Sequence, residues 1–98
     1  MSESRIDRIK KMEAILDEAN EAMEELDRAY TRYIAVQGKI EKLAKYYGGS
    51  QWKSDFEYDE KGKLPADLKR GVLSEDAVFD MLERNKKTAE SVGLNNLQ

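Results

Sequence analysis

The chain has no cysteine, no histidine and a single proline among its 98 residues. Without cysteine there is no disulfide frame and no thiol chemistry. Without histidine the usual general base near neutral pH and the commonest metal ligand are both missing. Catalysis would fall to carboxylates, Lys, Ser or Tyr gathered in a pocket, and a thin helical hairpin offers little concavity, so the expectation is no enzyme and no cofactor. Nothing approaches the ~18 consecutive apolar residues of a membrane-spanning helix. The opening MSESRIDRIKKM has no signal-peptide apolar run. These absences together predict a soluble, cytoplasmic protein.

What is present is periodicity. From about Glu3 to Tyr47 there is no proline and one glycine, Gly38. With Ile9 at heptad position a, the a set is Ile9, Leu16, Met23, Tyr30, Gln37 and Ala44. The d set is Met12, Ala19, Leu26, Tyr33, Ile40 and Tyr47, and Ile15, Ala22, Ala29, Val36 and Leu43 fill g. Only Gln37 interrupts this apolar stripe. A stripe three positions wide in seven predicts one long helix, about 3–47, covered by more than one neighbour. Gly38 costs about 1 kcal/mol relative to alanine, but the stripe keeps its register across it. Gly48-Gly49 reads as the stop.

Charge is distributed in blocks. Residues 12–27 carry Glu13, Asp17, Glu18, Glu21, Glu24, Glu25 and Asp27 and no base. Residues 28–47 carry Arg28, Arg32, Lys39, Lys42 and Lys45 against Glu41 alone. Two antiparallel copies crossing near Asp27 would set each acidic block against the other's basic block, whereas a parallel pair would stack like on like.

The remainder reads as a long connection and a second helix. Ser50 is placed to cap a short helix over about 50–58, carrying Trp52 and Phe56 one turn apart. Their rings are expected against Tyr46 and Tyr47. Asp59-Glu60-Lys61-Gly62 reads as a turn. Residues 65–70 read as one helical turn opened by Pro65 and ended by Gly71. Ser74 is an N-cap with Glu75 and Asp76 in the first turn, and Leu73 and Val78 form a hydrophobic staple across it. The second helix, about 75–91, is expected to bury Val78, Phe79, Met81 or Leu82, Ala89 and Val92, and to stop at Gly93 and Asn95-Asn96 before a loose tail. One all-α domain spanning 1–98, a helical hairpin, follows.

Tyr46-Tyr47-Gly48, Trp52-x-x-Asp55-Phe56, Gly62-Lys63-Leu64-Pro65 and the run Leu68-Lys69-Arg70-Gly71-Val72-Leu73-Ser74-Glu75-Asp76 are familiar as a set. On these residues the chain resembles the bacterial family catalogued as domain of unknown function 4298, from roughly Arg5 to Arg84. The resemblance implies a small bacterial helical domain and brings no activity, cofactor or catalytic residue.

The two predicted helices differ in length, about 65–70 Å against about 25 Å. A second helix folded back covers the first only around 30–47. Ile9, Met12, Ile15, Leu16, Met23 and Leu26 are then left bare, a patch larger than monomers usually expose. The expectation is an antiparallel, coiled-coil-like homodimer through these six residues. Functionally this is a protein–protein interaction or structural module, with Trp52, Asp55, Lys69 and Arg70 in the connection as a second candidate partner surface. Other readings are weaker. Residues 13–27 could act as an acidic decoy for a basic nucleic-acid-binding site. The basic stretch 28–45 could bind nucleic acid, but its tyrosines fall mostly at a and d and the chain is acidic overall. Asp55, Glu57, Asp59 and Glu60 superficially suggest a calcium loop, yet the sixth position is Glu60 rather than glycine and the twelfth is Ala66 rather than glutamate. The helix is not basic enough along its polar face for a membrane surface.

Overall fold

The computed structural model describes residues 4–94. The expected helix start at Glu3, and Asn95-Asn96 with the tail to Gln98, lie outside the described residues. Helices run as α1 (Arg5–Tyr47), α2 (Ser50–Glu60), a 3-10 turn (Gly71–Leu73) and α3 (Ala77–Ser91), with no strand among the described residues. The chain divides into two compact units, Met1–Gln37 and Gly38–Gln98.

In the first unit, Ser4 caps α1. Its hydroxyl oxygen accepts the Asp7 N–H at 3.1 Å, and its carbonyl accepts the Arg8 N–H at 3.0 Å. Asp7 stands in the first turn, where the helix dipole favours a carboxylate. Residues 4–29 are exposed throughout, and half-burial begins at Tyr30, Tyr33, Val36 and Gln37, all a, d or g positions.

In the second unit, α1 ends with Ile40, Leu43, Ala44, Tyr46 and Tyr47 half-buried. Gly49 stops it by close approach rather than by a left-handed turn. Its backbone is extended (φ −106°, ψ 174°), and a Cβ there would lie 3.1 Å from the Lys45 carbonyl oxygen. Gly49 is also the N-cap of α2, so Ser50 is its first helical residue and not the expected cap. Of the segment read as a turn at 59–62, Asp59 and Glu60 are the end of α2, which runs two residues past the expected 58, while Lys61 and Gly62 do form the turn. Gly62, at φ +68°, closes it as a Schellman motif. The Gly62 N–H bonds the Asp59 carbonyl at 2.9 Å and the Lys63 N–H bonds the Tyr58 carbonyl at 3.1 Å. Lys63 also places its ammonium 5.3 Å from the Tyr58 ring centre.

The expected helical turn at 65–70 is a correction. Pro65 opens a single turn through Leu68 N–H to its carbonyl, 3.2 Å, and no helix follows. So short a segment cannot recover the cost of nucleating a helix. Gly71 begins the 3-10 turn instead of ending a helix.

Ser74 makes the expected serine bonds, but two residues ahead of the cap position: the residue directly before α3 is Asp76, whose side chain makes no cap hydrogen bond. The Ser74 backbone is extended, and its hydroxyl oxygen accepts the Asp76 and Ala77 N–H groups at 3.3 Å each. Regular i→i−4 bonding starts with Asp80 N–H to the Asp76 carbonyl, so α3 begins at Ala77 rather than 75. Leu73 and Val78, either side of the cap, are the two buried apolar residues among those described, at 7% and 3% exposure. From Val78 a half-buried stripe continues through Met81, Leu82, Asn85, Thr88 and Ala89. Phe79 and Val92, expected inside, are exposed at 53% and 42%. Phe79 stands a quarter-turn off this stripe, and Val92 lies beyond the last helical residue. Gly93, at φ +73°, receives the chain as α3 ends.

Candidate interaction surfaces

The first unit presents an uninterrupted apolar stripe to solvent. Ile9, Met12, Ile15, Leu16, Met23 and Leu26 are between 53% and 67% exposed in the single chain. Ile6, at 65%, extends the row by a turn; it falls at heptad position e and was outside the a/d/g count. Each position follows from helical spacing alone, because side chains three and four apart share a face. The acidic residues of 12–27 occupy the other faces and are exposed as well. Beyond Leu26 lies a shallow open depression of about 400 Å³ lined by Ala29, Arg32, Tyr33 and Val36. The Gln37 side-chain amide at its end donates to the Tyr33 carbonyl at 3.1 Å.

The second unit is held by aromatic rings and long-range hydrogen bonds. The Trp52 indole stacks on Phe56 (centroids 5.1 Å apart, planes at 17°) and meets Tyr47 edge-on (5.3 Å, 72°). Its N–H donates to the Val72 carbonyl at 2.7 Å. The Tyr47 hydroxyl donates to the Glu75 carbonyl at 2.8 Å. Trp52, Phe56 and Asp59 form the half-buried face of α2, at i, i+4 and i+7. One turn away, the Tyr46 hydroxyl donates to Asp55 Oδ2 at 2.7 Å. That hydrogen bond first, then burial, then the Asp55 charge push the Tyr46 phenol up to about 12.

Of the four residues proposed for a partner surface in the connection, three are engaged within their own chain. Trp52 and Asp55 have the contacts above, and Arg70 pairs with Asp59 at 2.6 Å. Lys69 is exposed. The expected ring cluster forms with Tyr47 but not with Tyr46, which turns to Asp55. Asp55 to Glu60 lie on α2 instead of in a loop. Among the described residues no three carboxylates are placed to hold a metal ion. A shallow open depression of about 560 Å³ beside Tyr46 is lined by Lys39, Lys42, Leu43, Lys45 and Gln51. Spacing made Trp52 and Phe56 visible beforehand. The Tyr46–Asp55 and Arg70–Asp59 pairs were not, since neither partner choice leaves a periodic signal.

These features define a class: a small all-helical chain with an aromatic-locked connection and one bare apolar helical stripe. The chain belongs to the family described as domain of unknown function (DUF4298), whose model matches residues 9–93. No curated protein and no solved structure matches it. No helix among the described residues is long and apolar enough to cross a membrane.

Proposed function

We propose that the protein is a non-enzymatic helical interaction module that works as an antiparallel homodimer joined through Ile9, Met12, Ile15, Leu16, Met23 and Leu26. The observation that carries this reading is the exposure of those six side chains as one continuous stripe. Complete burial of each is worth about 1.5–3 kcal/mol. At half coverage the twelve in a pair supply about 9–18 kcal/mol, which covers most of the ~4–15 kcal/mol lost on association.

Two further features support the module. The Tyr47–Glu75 bond ties the end of α1 to the approach to α3. The helical hairpin in the second unit remains part of this proposal, and that bond is the observation that favours it. Tyr46 is made harder to deprotonate by its bond to Asp55. A group being readied as a base or nucleophile near neutral pH would be tuned in the opposite direction.

Light scattering at tens of micromolar is expected to give the mass of two chains, and Leu16→Glu the mass of one. A wild-type mass of one chain would overturn the reading.

A further inference from the structure

We propose that α1 carries a built-in point of local opening at Gln37-Gly38, where one turn of the helix comes apart while the turns before and after it stay formed. The inference does not depend on what covers the bare stripe. Three observations meet at these two residues.

Gly38 is the one glycine in α1, and it serves neither of the purposes that hold a glycine in place elsewhere in the chain. Its backbone is not left-handed; among the described glycines that region holds Gly62 and Gly93. It admits no close neighbour either, since a Cβ there would meet nothing within 4 Å. The cost of about 1 kcal/mol relative to alanine is therefore not offset by anything in the formed helix. What the glycine does supply is ready departure from helical dihedrals.

Gln37 lowers the cost of opening from the other end of the same turn. Its side-chain amide donates to the Tyr33 carbonyl at 3.1 Å, the acceptor that its own backbone N–H uses in α-helical pairing. When the backbone bond opens, that carbonyl keeps a donor and is not orphaned. A side chain inserted into the i→i−4 ladder is one known cause of a break in a helix.

The third observation is packing. Gln37 is the only polar member of the a, d and g stripe, so apolar continuity between Tyr33 and Ile40 is weakest at its turn. The boundary between the two compact units falls between Gln37 and Gly38. Opening here lets the stripe-bearing residues be held or released without loosening the Tyr47–Trp52–Phe56 ring cluster.

Amide hydrogen exchange on the full chain, resolved by residue with NMR, tests the proposal. Wild type is expected to show a protection minimum at residues 37–41, with higher protection at 31–35 and at 43–46. Gly38→Ala should slow exchange across that minimum about two- to fivefold. Gln37→Leu leaves the glycine in place and removes the substitute donor, and should slow the same amides about twofold. The Trp52 indole N–H should keep its wild-type exchange rate in both variants. Protection that falls evenly from Tyr47 toward Ser4, with no minimum at 37–41, overturns the proposal. A minimum that neither variant changes does so as well.

Discussion

Tyr46 gives its hydroxyl hydrogen to Asp55 across the Gly48-Gly49 turn, at 2.7 Å, and so fastens the last turn of α1 to the middle of α2. The bond exists only while the phenol is protonated, and ionisation would set a phenolate against a carboxylate. That is why Tyr46 ionises only at about 12, where an unperturbed tyrosine ionises near 10. The folded-state value lies above the unfolded one, so its contribution to stability is complete below about pH 10 and is lost as pH rises through about 12. Spectrophotometric titration is expected to show a late tyrosinate step belonging to Tyr46. Tyr46→Phe should remove that step and flatten the stability loss between about pH 10 and 12. A wild-type curve unchanged by Tyr46→Phe apart from the loss of one ordinary tyrosine step would show that the bond does not persist in solution.

Trp52 joins three segments at once: Tyr47 from α1, Phe56 from α2 and the Val72 carbonyl of the 3-10 turn. Trp52→Phe keeps an aromatic ring on Phe56 and abandons the indole bond, a loss of about 1 kcal/mol. Trp52→Ala abandons the rings as well, and about 3 kcal/mol is expected. Urea denaturation followed by circular dichroism separates the two. In a unit with so few buried side chains, the alanine variant should also lose native protection at the Tyr47 end of α1 in hydrogen exchange.

The stripe of the first unit was readable because it is periodic and local. Ile9 to Leu26 repeat at helical spacing, so their shared face is set within one helix. The Ser74 hydrogen bonds to Asp76 and Ala77 N–H were equally visible, since they are confined to one turn, although α3 itself starts later, at Ala77. The connection was harder for the opposite reason. Asp59-Glu60-Lys61-Gly62 has turn composition, yet the helix continues to Glu60 because Gly62 alone supplies the left-handed backbone that ends it. Tyr46 and Tyr47 look equivalent in sequence. One step of about 100° around the helix sends one to Asp55 and the other to Trp52 and Glu75. Trp52 finds its acceptor twenty residues away. Periodicity carries no information about such a pairing.

Two glycines should respond in opposite directions to the same substitution. Gly38 lies inside α1, and a Cβ there meets nothing within 4 Å. Gly38→Ala is expected to stabilise the helix by roughly 0.5–1 kcal/mol. Gly62 has equally open space but sits at φ +68°, where a Cβ strains the backbone. Gly62→Ala should therefore cost about 1 kcal/mol. Denaturation midpoints of the two variants, measured at one protein concentration, check both signs. A destabilising Gly38→Ala would mean that the helix needs its glycine for something other than space.

Arg70 and Lys69 are neighbours with different work. Arg70 reaches Asp59 at 2.6 Å, with the two side chains 35% and 26% exposed. It thereby ties the segment before the 3-10 turn to the half-buried face of α2. Lys69 is exposed with no such partner. A pair this open to water contributes about 0.5–1 kcal/mol, so Arg70→Ala should cost about that much. Arg70→Glu should cost more, by setting two carboxylates together, and Lys69→Glu should stay within about 0.5 kcal/mol of wild type. The reciprocal Asp59→Arg with Arg70→Glu restores opposite charges across the same gap. A double-mutant cycle then isolates the interaction from the loss of either side chain. Recovery of most of the stability would establish the pair as a fastener of the connection. A coupling near zero would leave Trp52 and the Tyr46–Asp55 bond to hold it without help from charge.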